Sequence, residues 1–274
     1  MTDHRDWTGK VGTIWAQEWQ RTDRSFRELT GTLLYRIGQT GFEKCIDIGC
    51  GAGEISIALA KSVPQAAITG VDISPELLSV ARQRSENLTN LDFIHGDAAQ
   101  YSPDKQGVNL LVSRHGVMFF PAPVEAFAHF RSISAQNARL VFSCFRERER
   151  NEWVSETLSV LPTVPTPPPA GEPGPFAFGS KNHVARILDG AGWTDVAFEK
   201  IDYRMIFGGG NDPVEDACDY LSRVGPTATQ LAALEDTERA EALDKLRKVL
   251  SGHLRDGFVS LPAAAWIVTA SAAG

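Results

Sequence analysis

The chain has 274 residues, of which 43% are apolar and 22% charged, a composition typical of a folded protein that excludes extended disorder over most of the length. That length predicts one large domain, or one domain with a sizeable insertion. Acidic residues outnumber basic ones by 34 to 27, so the net charge is −7 and there is no broad positive field to attract a nucleic acid.

The N-terminal segment, residues 1–40, has a helical pattern. Trp7, Trp15 and Trp19 are followed by apolar residues at helical spacing as far as Ile37, with no strand-like alternation. This pattern predicts two short helices that form a cover ahead of the main fold. The tryptophans can serve either as core packing or as ligand contacts, and both interpretations stay open.

A second pattern begins at Lys44, where short apolar runs alternate with helical stretches. The runs cover residues 44–48, 67–72, 91–95, 108–113 and 139–145. Between them, Ser74 is a candidate N-cap and Pro75 a first helical residue, which predicts a helix over 75–88, and a second helix is expected at about 123–134. Alternation of this kind indicates βαβ units and a parallel sheet, so the predicted fold class is α/β.

A proline-rich segment separates this region from the C-terminal part. Residues 161–176 contain seven of the 15 prolines, which excludes a helix or a central strand and predicts an extended surface loop. After the loop, Ser180 is a candidate cap of a helix that ends near residues 190–192. We interpret the loop as a candidate lid.

The last part of the chain is predicted to form two strands with helices between them. Residues 196–207 are predicted to form one strand, and a glycine triplet at 208–210 then breaks the chain. Residues 213–250 show helical periodicity, and 263–270 is the last predicted strand. A helical insert over 211–256 therefore separates the final two strands, and it is a second candidate for a lid.

Neither the start of the chain nor its cysteines suggest export. Residues 1–6 do not resemble a signal peptide, and no window approaches the roughly 20 apolar residues that cross a bilayer, which predicts a cytoplasmic protein. The four cysteines form no C-x-x-C pair, which argues against a zinc site, a redox motif or a disulfide framework. They are Cys45, Cys50, Cys144 and Cys218, and each is expected to be a small buried side chain.

A glycine-rich stretch between Asp47 and Glu54 follows the first predicted strand and begins the first helix. Glycines let the backbone turn sharply and let a ligand lie against bare peptide, close to helix N–H groups. Asp72 ends the second strand, where a carboxylate can accept hydrogen bonds from a ribose diol. Asp97 follows the third strand, where it can accept from an adenine amino group. Together these positions indicate a nucleoside-binding site.

Asp47 bears on the charge of the ligand. A carboxylate two residues before the first glycine would repel a pyrophosphate and attract a cation. The dinucleotide fingerprint G-x-G-x-x-G also requires a glycine where Glu54 stands. An NAD-dependent oxidoreductase is therefore kept only as an alternative.

These motifs resemble those of class I S-adenosylmethionine-dependent methyltransferases, over about residues 44–145. The similar segments are Asp47-x-Gly49-x-Gly51-x-Gly53, Val71-Asp72-Ile73-Ser74, Gly96-Asp97-Ala98 and the loop over 113–123. The nearest branch is the ubiquinone and menaquinone C-methyltransferase-like group. The resemblance implies a Rossmann-like, doubly wound sheet of seven strands with an antiparallel last strand, which would place residues 41–274 in one methyltransferase domain. The turn before strand five departs from the family pattern, but Asn137 can adopt the left-handed conformation needed there.

The resemblance also implies a cofactor, S-adenosyl-L-methionine, and a small-molecule acceptor whose reacting atom, carbon, oxygen or nitrogen, stays open. The residues that it implies for cofactor binding are Asp47, Gly49, Cys50, Gly51, Gly53, Asp72, Ile73, Asp97, Ala98 and Ser113. No metal ligand set is expected. A non-catalytic module that binds S-adenosylmethionine and regulates a partner is the alternative function, and the long lid elements argue against it.

Two residues after the fourth strand are candidates for catalysis. His115 stands where the donor methyl should point, so it is a candidate general base, and the alternative is a side chain that shapes the pocket. As a base with the ordinary imidazole pKa of about 6.5, it would give a rate that rises near pH 6–7. Arg114 is a candidate for binding a substrate carboxylate or phosphate, or for pairing with an acidic side chain. Met118 and Phe119 replace the paired histidines of the family loop, so no role is assigned through those histidines.

Overall fold

A computed structural model describes residues 6–103 and 107–272. The prediction that the chain does not start with a signal peptide concerns the segment from Met1 to Arg5. That segment lies outside the described residues. Among the described residues, no helix is both long and apolar enough to cross a membrane.

A mixed sheet of eight strands forms the centre of the fold. The strands are β1 (Lys44–Ile48), β2 (Ala67–Asp72), β3 (Leu91–His95), β4 (Val108–Arg114), β5 (Ser134–Phe145), β6 (Trp193–Gly208), β7 (Leu254–Arg255) and β8 (Phe258–Ala272). Their order is β3-β2-β1-β4-β5-β8-β6, and β7 pairs with β8 alone. Strands β1 to β5 pair in parallel, whereas β8 is antiparallel to both β5 and β6. The predicted doubly wound, Rossmann-like sheet with an antiparallel last strand is therefore confirmed.

The eighth strand was not predicted. β7 and β8 form a tight hairpin whose two-residue loop, Asp256-Gly257, has φ values of 49° and 79°. A two-residue turn in which both residues have positive φ matches the twist of the strands that it joins. Asp-Gly is one of the sequence signatures of this turn. β8 accordingly begins at Phe258, ahead of the predicted start at residue 263.

Strand β5 also begins earlier than predicted, at Ser134 instead of residue 139. The pairing of β4 with β5 shifts register between Val108 and Leu110, and Asn137 has φ 59°. The left-handed conformation predicted for Asn137 is confirmed, and the strand continues through it as an irregular stretch. Further along β4, Leu110 and Leu111 are fully buried, as expected for a central strand of a parallel sheet.

Eight helices connect or follow the strands in the described chain. They are α4 (Glu54–Ser62), α5 (Pro75–Arg84), α6 (Pro123–Ser132), α7 (Glu152–Leu158), α8 (Lys181–Gly190), α9 (Pro213–Leu221), α10 (Pro226–Leu231) and α11 (Asp236–Gly252). Ser74 and Ser180 accept hydrogen bonds from the backbone N–H groups of Leu77 and His183, so both predicted N-caps are confirmed. Helix α7 was not predicted, and the predicted helical stretch 213–250 is three helices.

The N-terminal segment contains three α-helices where two were predicted: α1 (Lys10–Gln17), α2 (Trp19–Ser25) and α3 (Arg27–Ile37), after a short 3-10 turn. Leu29, Leu33 and Ile37 recur at helical spacing on α3 and are fully buried in the main core. On α2, the Ser25 hydroxyl donates to the carbonyl oxygen of Ile206 in β6 at 2.8 Å. The segment is thus joined to the sheet and to its core.

Candidate functional site

A cavity of about 230 Å³ lies at the carboxyl ends of the parallel strands. Strand β1 is flanked there by β2 on one side and β4 on the other, so the chain winds away in two directions from this point. Such a switch point is where open α/β sheets bind ligands. The predicted residues that line the cavity are Asp47, Gly49, Cys50, Gly51, Asp72, Ile73, Asp97, Ala98, Arg114 and His115.

Two predicted cofactor residues, Gly53 and Ser113, do not line this cavity. Gly53 has φ 82°, and a Cβ there would lie 2.9 Å from the Phe93 ring, so this glycine allows α4 to pack closely. Ser113 is fully buried, donates its hydroxyl hydrogen to the carbonyl oxygen of Ile48 at 2.7 Å and accepts from the N–H of Gly116. The cavity lining does not support a direct contact of either residue with the cofactor, so that role stays a prediction.

The loop after β1 comes very close to the loop after β4. Gly49 has φ 64°, and a Cβ on it would lie 3.1 Å from the Cα of Gly116. Conversely, a Cβ on Gly116 would lie 2.7 Å from the carbonyl oxygen of Ile48. Only residues without side chains allow two backbones to approach this closely, so the glycines bring the two loops together at the cavity.

Asp72 is oriented by the backbone around it. Its Oδ2 accepts from the N–H of Gly51, and its Oδ1 accepts from the N–H of Ser74, both at 2.8 Å. Burial raises the pKa of the Asp72 carboxyl, and these backbone donors act in the opposite direction. Each carboxylate oxygen retains a lone pair, so the group is held ready to accept from a diol at the cavity surface.

Asp97 is held in a similar way after β3. Its Oδ1 accepts from the backbone N–H of Ala99 at 2.9 Å, and the side chain of Gln100 donates to its Oδ2 at 3.3 Å. Ala98 and Ile73 line the cavity beside the two carboxylates. The arrangement combines fixed acceptors with small and apolar surfaces, which suits a nucleoside.

Asp47 is a buried acid that forms no ion pair with the described residues. Its side chain is 1% exposed, and the Ser56 hydroxyl donates to its Oδ2 at 2.6 Å. Burial raises the pKa of this carboxyl to about 7, although Ser56 and the charge of Arg114 oppose the increase. No cation of residues 6–103 and 107–272 forms an ion pair with Asp47. A cationic group in the cavity would therefore complete this site.

Arg114 is already paired with acidic side chains. Its guanidinium contacts the Glu54 carboxylate, donates to the Thr30 hydroxyl at 2.8 Å and lies 3.7 Å from the Asp23 carboxylate. Asp23 also binds Arg84, whose guanidinium donates to the carbonyl oxygen of Ala52 at 2.7 Å. Of the two interpretations of Arg114, the structure favours pairing with acids. The network ties α2 and α3 to the glycine loop.

His115 is a buried imidazole that packs against aromatic rings. It has φ 60°, is 8% exposed, and its ring contacts those of Phe26 and Phe145, with centroids 5.1 and 4.2 Å away. This burial lowers the imidazole pKa to about 3. A pKa this far below 6.5 disfavours the general-base interpretation, and a rate that rises near pH 6–7 through His115 stays a prediction. Such a weak base is poorly matched to proton abstraction near neutral pH.

The N-terminal tryptophans, whose role was left open, all line the cavity. The rings of Trp7 and Trp15 lie 5.4 Å apart, and Trp7 contacts Phe119 edge-on at the same distance. Trp19 stacks under the Arg84 guanidinium at 3.9 Å. Their position favours ligand contact, and the first two helices thus cover the cavity.

Gly12 allows this cover to dock. A Cβ on Gly12 would meet the carbonyl oxygen of Trp7 and would lie 2.5 Å from the Ser74 hydroxyl, at the start of α5. We expect Gly12→Ala to displace α1 and to weaken cofactor binding about tenfold, since the cover would no longer close over the site. Isothermal titration with S-adenosylmethionine measures this effect. Gly31→Ala is the matched control, because Gly31 is also helical and has open space around it. Equal affinities for the two variants would contradict the close docking.

One half of the cavity is lined by side chains that were not among the predicted site residues. Its walls come from β5, α7, β6, α9 and the turn that follows α9, and we call it the distal half. The residues that define it are Phe145, Trp153, Met205, Phe207, Tyr220, Leu221 and Val224. Pro175 of the proline-rich loop also lines the cavity, and Gly174 donates its N–H to the carbonyl oxygen of Met118 at 3.1 Å. No motif marks these side chains, because they come together only through packing.

Ion pairs hold the N-terminal cover against the helical insert. Arg21 lies 2.7 Å from the Asp219 carboxylate, and Arg24 lies 2.7 Å from that of Asp216. These pairs join α2 to α9, two elements that are far apart in sequence. They join the cover to the helix that carries Tyr220 and Leu221 into the distal half.

Comparison with known proteins agrees with this geometry. A malonyl-[acyl-carrier protein] O-methyltransferase of Halalkalibacterium halodurans is 34% identical over 103 residues, which are 36% of this chain and 38% of that protein. A demethylmenaquinone methyltransferase of Staphylococcus aureus strain JH9 is 38% identical over 58 residues, 21% of this chain and 24% of that protein. The chain thus spans less than half the length of these curated relatives.

A solved structure has a similar fold across the whole chain. Phosphoethanolamine N-methyltransferase 2 of Haemonchus contortus, in complex with S-adenosyl-L-methionine, superposes with a TM-score of 0.60 at 16% identity, covering 100% of this chain and 61% of that one. The family model described as a methyltransferase domain matches residues 41–192, which is more than half of the chain. The chain therefore belongs to this family of methyltransferase domains.

Proposed function

We propose that the chain is an S-adenosyl-L-methionine-dependent methyltransferase that acts on a small-molecule acceptor. The observation that carries the proposal is the convergence of Asp47, Asp72 and Asp97 on one cavity, each just after or at the end of a parallel strand. Two of these carboxylates accept from backbone N–H groups nearby, and the third is buried and forms no ion pair among the described residues. Membership of the methyltransferase domain family supports the assignment.

The residues of the cavity fit the parts of this cofactor. Asp72 would accept from the ribose hydroxyls, while Asp97 and the backbone of Ala98 would receive the adenine. Gly49, Cys50 and Gly51 would lie along the chain between the nucleoside and the cationic end. Asp47 would face that cationic end, because a buried carboxylate gains most from a positive neighbour. When bound, S-adenosylmethionine supplies an electrophilic methyl group on a sulfonium.

The chain's own residues would contribute placement and exclusion of water. The tryptophans of the cover and the aromatic walls of the distal half enclose the cavity. Methyl transfer is an in-line displacement, so aligning the reactants and removing water can supply much of its acceleration. Arg114 would act as a positioning residue that fixes the glycine loop through Glu54. His115 would shape the pocket as a neutral ring.

The alternatives receive less support. Glu54, which stands in place of the third glycine of a dinucleotide fingerprint, is engaged by Arg114, which disfavours NAD. A non-catalytic binding module would have little use for an enclosed distal half. The reacting atom of the acceptor stays open between carbon, oxygen and nitrogen. Four features stay predictions: the cytoplasmic location, the lack of a nucleic-acid partner, the division into residues 1–40 and 41–274, and the lid roles of the loop and the insert.

Titration with the two cofactors tests the proposal. We expect S-adenosylmethionine to bind and NAD not to, and Asp72→Ala to weaken the binding of S-adenosylmethionine by about 1–3 kcal/mol, because hydroxyls and backbone donors lose their acceptor. Asp92→Ala is the control, since Asp92 is exposed on the neighbouring strand β3. Parental affinity in Asp72→Ala would contradict the assignment of Asp72, and tight NAD binding would contradict the proposed function.

A further inference from the structure

We infer that the acceptor is an uncharged, largely apolar molecule that presents one hydrogen-bonding group to Nε2 of His115. The inference rests on the proposed function, which it extends from a small molecule in general to a chemical class. It depends on three features of the distal half of the cavity: its walls, its charges and its polar atoms.

The walls of the distal half are apolar and sheltered. Phe145, Trp153 and Phe207 contribute aromatic surfaces, and Leu221 and Val224 add aliphatic ones. Each of these five side chains is at most 6% exposed. A ligand in this space loses its hydration, which favours an apolar molecule and makes an unpaired charge costly.

The charges around the cavity do not compensate an anion. Among the described residues that line it, Arg114 carries the one permanent positive charge, and that charge is already paired with Glu54 and Asp23. Asp47 and Asp72 line the same cavity, and their carboxylates would repel the carboxylate of a substrate. A substrate carboxylate or phosphate would therefore enter an apolar space without a free cation.

Few polar side-chain atoms lie in the distal half or beside it, and most are already paired. The hydroxyls of Thr22 and Tyr220 are 3.1 Å apart and form a hydrogen bond with each other. His115 is the exception: Ser143 Oγ lies 3.3 Å from its Nδ1, but its buried Nε2 has no partner among the described residues. A buried polar atom without a partner is costly, so a polar ligand group that reaches Nε2 would gain a hydrogen bond there.

The position of His115 also suits this role. It comes directly after β4, between the strand ends that carry Asp47 and Asp72 and the walls of the distal half. The rings of Phe26 and Phe145 both pack against the imidazole, which limits its rotation. A polar group on an apolar acceptor would thus be held beside the cofactor region while the remainder fills the distal half.

Matched probes test the inference on the parent protein loaded with S-adenosylhomocysteine. We expect 2-naphthol at pH 7.5 to bind about tenfold or more tightly than 2-naphthoate, because only the latter takes a charge into the cavity. We also expect 2-naphthol to bind about fivefold more tightly than naphthalene, because only the naphthol can pair with Nε2. His115→Phe should remove the second preference and retain the first. Fluorescence titration measures all of these affinities.

A pair of variants shows whether the probes bind in the distal half. Val224→Trp should fill this space and abolish 2-naphthol binding, whereas Val164→Trp, at a side chain that is 58% exposed on the proline-rich loop, should leave it unchanged. 2-Naphthoate binding as tightly as 2-naphthol, or no binding of either neutral probe, would overturn the inference. Titration with S-adenosylhomocysteine alone separates the two levels: if it fails to bind, the proposed function is wrong, whatever the probes show.

Discussion

Asp47→Asn should weaken the binding of S-adenosylmethionine at pH 8 by about 2–4 kcal/mol, roughly 30-fold to 1,000-fold, because a buried charge pair loses one partner. The asparagine side-chain oxygen can still accept from Ser56, so the change removes the charge and retains the shape. The carboxyl of Asp47 has a pKa of about 7, so the parent should bind the cationic cofactor more tightly as the pH rises from 6 to 8. The variant should lose this increase.

The same substitution should stabilise the ligand-free protein above pH 7. The carboxyl of Asp47 has a pKa near 7 when folded and an ordinary value of 3.8, so between about pH 4 and 7 the native state holds a proton that the unfolded chain releases. The contribution of this group to stability is therefore highest at low pH and falls as the pH rises through that window. Asparagine does not ionise, so we expect its advantage to reach about 2–4 kcal/mol at pH 8 and to vanish near pH 4.

Calorimetric titration and thermal unfolding from pH 5 to 8 measure both effects. Comparing the variant with the parent at each pH cancels the ligand's own ionisation. Asp92→Asn is the control, because Asp92 is exposed on β3. If Asp47→Asn binds S-adenosylmethionine like the parent at pH 8, Asp47 does not face the cationic end of the cofactor.

Gly208→Ala should destabilise the protein by about 3 kcal/mol and displace the part of the distal half that α9 forms. Gly208 ends β6, and a Cβ there would overlap the carbonyl oxygen of Pro213 and would lie 2.8 Å from the Cβ of Ala217. These atoms belong to the start and the middle of α9, so the helix must move away from the sheet. Because α9 carries Tyr220 and Leu221 into the distal half, we expect 2-naphthol binding to be lost.

Cofactor binding should persist in Gly208→Ala wherever the protein is folded, since none of the predicted cofactor residues lies in β6 or α9. Urea unfolding gives the stability, and titrations with S-adenosylhomocysteine and 2-naphthol separate the two halves of the cavity. Gly41→Ala is the control, because a Cβ on Gly41 meets open space. Parental stability together with parental 2-naphthol binding would show that α9 does not depend on this close contact.

Much of the fold could be predicted because the signals are local. Strands β1, β2 and β3 have the bounds that their apolar runs predict, and Ser74 caps α5 through a bond to Leu77, three residues away. The turn residues behave in the same way, since the left-handed conformation of Asn137 follows from its own side chain. The hairpin at Asp256-Gly257 also has a local signal, the Asp-Gly pair, although the hairpin was not among the predicted elements.

The residues of the cofactor half of the cavity could also be predicted from the sequence. Parallel strands end at the same edge of a sheet, so residues that directly follow β1, β2 and β3 are brought together by topology alone. Asp47, Asp72 and Asp97 accordingly line one cavity. Gly53 and Ser113 belong to the same motifs but lie behind the wall, because a motif specifies position along the chain and not the direction in which a residue faces.

The sequence by itself therefore determined the α/β class, the sheet and the strand-end carboxylates, since each depends on residues close together in the chain. Only the tertiary structure decided what Arg114 and His115 do. Arg114 is neutralised by Asp23 and Glu54, and the pKa of His115 falls because Phe26 and Phe145 bury its ring. The distal half arises in the same way, from elements distant in sequence. Electrostatic environment and cavity shape depend on which side chains surround a group, and that is settled only when the chain has folded.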